Sequence, residues 1–153
     1  MRIALAADHA GFEMKRDLAV SLRDDGHDVL DLGTHSTAAV DYPDCAASVA
    51  AALGDGRAER GIIVCGSGAG ASIAANKFAG IRAAVCHDTY TAKQAVEHDD
   101  MNVLCLGARV VGPALARDLA AAFLGARFSS EERHRRRLAK ILAIEAQFLR
   151  PGR

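Results

Sequence analysis

The sequence lacks any apolar run long enough to cross a membrane, although 50% of its 153 residues are hydrophobic. It also lacks an excess of either charge, because 19 Lys and Arg residues balance 19 Asp and Glu residues. A chain without an overall positive field is not expected to bind nucleic acid or a membrane surface. Its first residues lead directly into an apolar stretch without the pattern of a signal peptide, so we expect a cytoplasmic protein.

Internal repeats and low-complexity segments are missing from the sequence. The four cysteines, Cys45, Cys65, Cys86 and Cys105, have no close metal-type spacing, and they do not indicate a disulfide framework in a chain of this size. The composition is that of one globular domain, spanning residues 1–153, with a real core. Residues 126–153 carry eight Lys and Arg against three Asp and Glu, which indicates a basic C-terminal helical extension that contacts an anion or a partner subunit.

Apolar strands and helices alternate along the chain. Strands are predicted at residues 2–7, 28–32, 61–65, 81–86 and 102–106. Helices are predicted at residues 11–25, 44–53, 71–77, within 87–98, at 112–123 and at about 130–149. Ser129-x-x-Glu132 predicts a capping box for the last helix. This order predicts an α/β fold, a three-layer, doubly wound, Rossmann-like sandwich with a five-stranded parallel sheet and a C-terminal helix.

The most informative stretch runs from Gly61 to Lys77. A buried strand ends at Cys65, the small residues Gly66-Ser67-Gly68-Ala69-Gly70 follow, and an alanine-rich helix begins. Glycine lets the backbone bend close to a ligand, and the start of a helix presents N–H groups with a partial positive charge. A thiol that faces such a helix start loses its proton most easily. We therefore predict a site for a phosphorylated small molecule, with Cys65 as its chemical group.

The same loop admits other interpretations. Gly66-x-Gly68-x-x-Ala71 fits a permissive dinucleotide fingerprint, with Asp88 about where a ribose-binding acid should be, so a small nicotinamide- or flavin-binding reductase is a second hypothesis. Two observations disfavour the reductase hypothesis. The loop follows the third strand and not the first, and the chain leaves no room for a separate substrate domain. A non-catalytic regulator that binds a phosphorylated metabolite is a third hypothesis, and a plain tight turn is the simplest alternative.

Ligands of doubly wound sheets bind at the carboxyl ends of the strands, which gathers Asp8 and His9, the Cys65 loop and the region after the fourth strand. Taken singly, Asp8 and His9 are better explained as capping residues of the first helix. His98 is likewise favourable at the C-terminal end of a helix without any chemical role. These residues become candidates only in combination.

The last helix carries a basic run. Arg133 and Arg137 lie one turn apart, so they share a face and are placed to bind one phosphate together. Arg135, Arg136 and Lys140 are expected to be solvated.

Taken together, these motifs resemble the B-type ribose-5-phosphate isomerases, a family that also contains galactose-6-phosphate isomerase subunits. The similarity covers nearly the whole chain. It is carried by Ala7-Asp8-His9-Ala10-Gly11-Phe12, Asp31-Leu32-Gly33-Thr34, Asp41-Tyr42-Pro43, the block from Cys65 to Lys77, Ile81-Arg82-Ala83, Asn102-Val103-Leu104, Gly107-x-Arg109-Val110-Val111-Gly112 and Arg133-His134-x-x-Arg137.

The resemblance implies reversible aldose–ketose isomerisation of a sugar phosphate, most simply ribose 5-phosphate, through an enediolate and without metal or cofactor. It implies that Cys65 moves the proton between C1 and C2, that Ser67 helps to shuttle protons between the oxygens, and that His98 assists ring opening with Asp8 nearby. The residues expected to bind substrate are Asp8, His9, Gly66, Ser67, Gly68, Ala69, Gly70, Asp99, Arg109, Arg133 and Arg137. The resemblance also implies a homodimer or a dimer of dimers whose active sites are shared between subunits.

Asp99 departs from the family pattern. The family usually has asparagine after the ring-opening histidine, and this chain has an aspartate. Allose 6-phosphate, galactose 6-phosphate and a tetrose phosphate therefore remain alternative substrates.

Overall fold

The computed structural model describes residues 1–149 as an alternation of strands and helices. The strands are β1 (Arg2–Ala7), β2 (Asp28–Asp31), β3 (Arg60–Cys65), β4 (Ala83–Val85) and β5 (Val103–Gly107). The helices are α1 (Phe12–Asp24), α2 (Tyr42–Gly54), α3 (Ala69–Ala75), α4 (Thr89–Asp99), α5 (Pro113–Gly125) and α6 (Glu132–Phe148). The basic extension predicted at residues 126–153 is thus seen as α6, and its last four residues lie outside the described part of the chain.

The five strands form one parallel sheet in the order β2-β1-β3-β5-β4. Side chains alternate between its two faces, so Ile3 and Leu5 belong to one apolar cluster and Ala4 and Ala6 to the other. Helices α1, α4 and α5 cover the first face, and α2 and α3 cover the second. The predicted three-layer, doubly wound sandwich with a five-stranded parallel sheet is confirmed.

Two helices begin earlier than predicted, because a proline and a glycine outside the apolar pattern determine where they start. Helix α2 begins at Tyr42, two residues before the predicted start at 44, since Pro43 lacks an N–H and fits the first turn. Helix α3 begins at Ala69 rather than Ala71, directly after Gly68 in its left-handed conformation. Strand β4 is three residues long and pairs only with β5, which makes it a short edge strand.

The predicted capping box is wrong. Helix α6 has Glu131 at its N-cap, and no side chain there bonds to the first turn. The hydroxyl of Ser129 lies 2.6 Å from Nδ1 of the buried His134 and accepts from the N–H of Glu131 at 3.3 Å, and it bonds no N–H inside the helix.

Helix α6 packs against α4 and leaves much of its apolar surface uncovered. Ile144 is 59% exposed and Phe148 is 71% exposed. These residues line a groove of about 400 Å³ whose opposite wall includes Ile81 and Met101. Across residues 1–149, none of the helices combines the length and the apolar character needed to traverse a bilayer.

Candidate active site

The predicted site residues fall into two groups, one at each edge of the sheet. The carboxyl edge brings together Asp8 and His9 after β1, the loop 66–70 after β3, and Arg109 after β5. These three strands are neighbours, with Ala7 opposite Val64 and Cys65 opposite Gly107. Strand pairing therefore places the acid beside the thiol, as the sequence predicts, and it adds the arginine to them.

The position of Asp8 is fixed by its own turn. Its backbone N–H donates to the carbonyl of Val64 at 3.1 Å, and its Oδ1 accepts from the N–H of Gly11 at 3.1 Å. Gly11, not Asp8 or His9, is the N-cap of α1, so neither side chain caps the helix as the simpler interpretation had it. His9 is exposed, and its Nδ1 lies 3.2 Å from the carbonyl oxygen of Val40.

The loop after β3 is held so that a backbone N–H points at the thiol. The N–H of Gly68 donates to Sγ of Cys65 at 3.1 Å. This geometry requires glycine at 68, because φ is +80° and an added Cβ would stand 3.0 Å from the backbone carbon of Leu106. Behind the loop, the N–H of Ala108 donates to the carbonyl of Cys65 at 2.8 Å. The sulfur of Cys65 is thus a hydrogen-bond acceptor at the end of the central strand.

The other cysteines stay protonated. Burial, followed by the negative charges of Asp8 and Asp44, raises the pKa of Cys45 to about 11, and its thiol donates towards the carbonyl of Asp41. Burial raises the pKa of Cys86 to about 11 as well, and burial raises the pKa of Cys105. All three lie in the apolar clusters, as the sequence predicts.

The outer part of the loop is open to solvent and is bordered by two larger side chains. Ser67 and Ala69 are exposed, and the Ser67 hydroxyl accepts from the N–H of Ala69 at 3.3 Å. The guanidinium of Arg109 lies over Gly66, where an added Cβ would be 3.5 Å from its terminal nitrogen. The ring of Tyr42 lies so close to Gly70 that an added Cβ would meet it at 2.8 Å. The loop therefore forms the floor of an open cleft between a cation and an aromatic ring.

The second group of predicted residues lies at the amino edge. Helix α4 starts just after β4 and runs back antiparallel to the sheet, so His98 and Asp99 come beside the beginnings of the strands. The side chain of Asp100 bonds to Arg82, which directly precedes β4. The eleven residues of α4 span about 16 Å. Within one chain, His98 and Cys65 therefore lie at opposite edges of the sheet.

His98 belongs to a cluster with residues that the sequence did not single out. Its imidazole stacks on that of His134, with ring centroids 4.0 Å apart and planes inclined by 25°. The amide nitrogen of Gln94 lies 3.1 Å from Nδ1 of His98. His134 is 1% exposed, and its Nε2 has no hydrogen-bond partner among residues 1–149. The motif Arg133-His134-x-x-Arg137 contains His134, but its place between exposed arginines gave no sign of its burial.

The arginines of α6 continue this second group outward. Arg133 and Arg137 are exposed and lie one turn apart beside His134. Arg133 pairs with Glu131 at 2.9 Å, and Arg136 pairs with Glu132 at 3.0 Å. Arg133 and Arg137 are thus open to solvent near the start of α6, where His134 stacks on His98.

Asp88 has a structural role. Its carboxylate accepts from the N–H of Thr91 at 2.7 Å and from the Thr91 hydroxyl at 2.8 Å, which caps α4. These hydrogen bonds, first the one from the backbone, lower the pKa of Asp88. The dinucleotide hypothesis needed this carboxylate for a ribose, and the structure uses it at the helix start instead.

Comparison with known proteins adds independent evidence about the function of this site. A family model described as Ribose/Galactose Isomerase matches residues 3–141. Ribose-5-phosphate isomerase B of Escherichia coli is 46% identical over 144 residues, which cover 94% of this chain and 96% of the relative. D-erythrulose-4-phosphate isomerase of Pectobacterium atrosepticum is 43% identical over 129 residues, covering 84% and 85% of the two chains. The structure of ribose-5-phosphate isomerase B from Clostridium thermocellum superposes with a TM-score of 0.94 at 47% identity, covering 97% and 99% of the chains.

Proposed function

Because the chain belongs to the ribose/galactose isomerase family and is an aldose–ketose isomerase of phosphorylated sugars, we propose that it interconverts ribose 5-phosphate and ribulose 5-phosphate through an enediolate. The observation that carries this proposal is the environment of Cys65. A buried thiol ends the central strand and accepts a hydrogen bond from Gly68, beside an open loop of small residues. The names of the relatives from Escherichia coli and Clostridium thermocellum support the choice of substrate.

Cys65 acts as the base in this mechanism. Its thiolate takes the proton from C2 of the open-chain aldose, and the electron pair of that C–H bond moves towards the carbonyl oxygen on C1. The resulting enediolate oxygen is stabilised by loop N–H groups, in the manner of an oxyanion hole. The Ser67 hydroxyl passes a proton between O1 and O2. The thiol then returns its proton to C1, which gives the ketose without net loss of atoms or electrons.

His98 opens the sugar ring before this step. An amide nitrogen only donates, so Nδ1 of His98 accepts from Gln94 and the neutral ring carries its proton on Nε2. That proton is available to the ring oxygen of a cyclic substrate. The same hydrogen bond fixes the orientation of the imidazole.

The two groups of residues act together when two copies of the chain combine. The carboxyl edge of one copy supplies Cys65, Ser67, Asp8, His9 and Arg109, and the amino edge of the other supplies His98, Asp99, Arg133 and Arg137. Their separation within one chain supports this arrangement, as does the uncovered apolar groove along α6. A homodimer or a dimer of dimers then has complete sites. The cytoplasmic location and the cofactor-free chemistry expected from the sequence stay predictions.

A tetrose phosphate is the second candidate substrate. The relative from Pectobacterium atrosepticum is named an erythrulose-4-phosphate isomerase, and Asp99 departs from the usual asparagine. A coupled assay of aldose-to-ketose conversion across pentose, hexose and tetrose phosphates tests both. We expect the highest kcat/KM on ribose 5-phosphate. A higher kcat/KM on a tetrose phosphate would make that sugar the preferred substrate in place of ribose 5-phosphate. Absence of turnover on every member of the panel would overturn the proposal.

A further inference from the structure

Lys15 on α1 is a buried charge that the chemistry above does not use. It is among the largest fully buried side chains of the described residues, with 1% of its surface exposed. Its Nζ donates to Oδ1 of Asp31 at 2.5 Å, and it lies 5.9 Å from the centre of the Phe12 ring. Partial burial acts to raise the pKa of Asp31, but the hydrogen bonds from Lys15 and Gly33 and the charge of Lys15 outweigh it and lower that pKa. Asp31 is therefore ionised at neutral pH.

Stability alone does not explain this pair. A buried ion pair loses hydration that its Coulomb attraction only partly offsets, and replacing such a pair by apolar residues is often neutral or stabilising. Leu18 and Leu22 fill the same face of α1 with ordinary core contacts. A lysine at position 15 thus indicates that the ion pair holds neighbouring backbone in a particular position.

Asp31 transmits that geometry to the end of β1. Its Oδ1 also accepts from the N–H of Gly33 at 3.0 Å. The carbonyl of Gly33 then accepts from the N–H of Ala7 at 2.8 Å, and the N–H of Thr34 donates to the carbonyl of Ala7 at 2.7 Å. Ala7 is held on both sides, directly before Asp8 and His9.

Residues 33–42, here named the framing segment, carry the effect onward. Near its far end Val40 contacts Nδ1 of His9 through both its carbonyl oxygen, at 3.2 Å, and its nitrogen, at 3.3 Å. The segment ends at Tyr42, whose ring lies against Gly70 of the loop. One end of the framing segment is anchored on the ion pair, and the other borders the cleft.

We propose that Lys15 is a positioning residue, which through Asp31 fixes the framing segment and so sets the His9 imidazole and the Tyr42 ring against the Cys65 loop. The inference rests on the proposed function in one respect, that His9 contacts the substrate. Lys15 itself touches neither substrate nor reacting atoms.

Three variants separate positioning from stability. Lys15→Met removes the charge while keeping the length of the side chain. Lys15→Met/Asp31→Leu replaces the whole pair with apolar groups, leaves no buried charge without a partner, and carries the test should the single variant fail to fold. Arg16→Met is the matched control, because Arg16 is the next residue on α1 and makes only exposed ion pairs, with Glu13 and Asp17.

Steady-state kinetics on ribose 5-phosphate and thermal unfolding are measured on all three. For the double variant we expect a KM raised about tenfold with kcat little changed, the signature of lost binding geometry, and a Tm close to that of the wild type. Arg16→Met should match the wild type in both. A double variant with normal KM would overturn the proposal, whatever its Tm.

A second readout needs no turnover. The ¹⁵N shifts of the His9 ring report the hydrogen bonding of its nitrogens, including the contact of Nδ1 with Val40, and they are recorded without substrate and with inorganic phosphate. In the double variant we expect them to move towards the values of a free imidazole, with weaker phosphate binding. Unchanged shifts would overturn the proposal. A wild-type protein that isomerises no sugar phosphate would refute the proposed function and leave the His9 shifts as the test of Lys15.

Discussion

The imidazoles of His98 and His134 are stacked, with centroids 4.0 Å apart, and one of them is sealed from solvent. His134 is oriented by Ser129, whose hydroxyl lies 2.6 Å from its Nδ1. Two neighbouring imidazoles cannot both be charged without repulsion, so a charge on His98 disfavours protonation of His134. The proposed ring-opening histidine therefore has a second histidine as its closest electrostatic neighbour.

This stack predicts a loss of stability in mild acid. Burial lowers the pKa of His134 from its usual 6.5, and the positive charges of His98 and Arg133 lower it further. The unfolded chain takes up a proton as the pH falls through 6.5, whereas the folded chain does so only at a lower pH. The stability contributed by the neutral ring is thus present above pH 6.5 and is lost below it.

Denaturant unfolding between pH 7.5 and pH 5 measures the effect, with His134→Phe as the comparison because phenylalanine keeps a ring but does not titrate. We expect the free energy of unfolding of the wild type to fall more steeply with acid than that of the variant. Parallel pH dependences would show that His134 is not the titrating group.

Cys65→Ala should abolish turnover. General-base removal typically lowers kcat by at least about a hundredfold, while substrate affinity, measured by calorimetry, should be largely retained. Cys86→Ala is the matched control, since Cys86 is a buried core thiol with a raised pKa of about 11. More than about a hundredth of wild-type activity in Cys65→Ala would exclude the thiol as the base.

Mixing two inactive variants should restore activity if the site is shared. Cys65→Ala and His98→Asn each damage every site of their own homodimer. A mixed dimer has one site with both native residues, so random exchange of subunits should give about a quarter of wild-type activity. Ribose 5-phosphate, which closes a ring, is the substrate for this assay after the two proteins are unfolded and refolded together. Absence of any recovery would mean that no site combines Cys65 of one chain with His98 of the other, and it would contradict the shared site.

Arg133→Ala and Arg137→Ala should raise KM, because these side chains share a face of α6 beside His134 and would both contact a phosphate. Arg136→Ala is the control, as Arg136 is exposed and paired with Glu132. Kinetics at fixed ionic strength distinguish them. An equal rise in KM for all three variants would point to a diffuse positive field and contradict a two-arginine phosphate site.

Asp99→Asn should shift substrate preference towards ribose 5-phosphate. An ionised aspartate only accepts hydrogen bonds, whereas asparagine also donates, so a ring or carbonyl oxygen near Asp99 lacks a donor. The mismatch costs about 1–3 kcal/mol, or about tenfold to a hundredfold in rate. The measurement is kcat/KM of both proteins on ribose 5-phosphate and on the best other sugar phosphate. An unchanged ratio would show that the aspartate has no bearing on specificity.

Much of the fold follows from local patterns. The apolar runs of β1, β3 and β5 are buried on both faces, so periodicity and length located them closely. The edge strand β4 was predicted too long. It pairs with only one neighbour, and at its start the side chain of Arg82 bonds to Asp100 outside the strand. The capping box failed since Ser129 bonds a residue whose burial depends on how α6 meets α4.

The site was predictable only in part. The carboxyl-edge rule assembled Asp8, Cys65 and their neighbours, because strand order alone determines their proximity. Lys15 gave no signal, since a lysine on an amphipathic helix ordinarily faces water, and its burial arises from contacts with Asp31 far along the chain. The stack of His98 on His134 likewise depends on tertiary packing of two helices.

The placement of His98 and Cys65 at opposite ends of one domain has a kinetic consequence. Under the proposed shared site, a single chain meets a phosphorylated sugar with only half of the reactive groups. Activity then belongs to the assembled species, and specific activity measured at decreasing enzyme concentration should decline once subunits separate, along a curve that yields their dissociation constant.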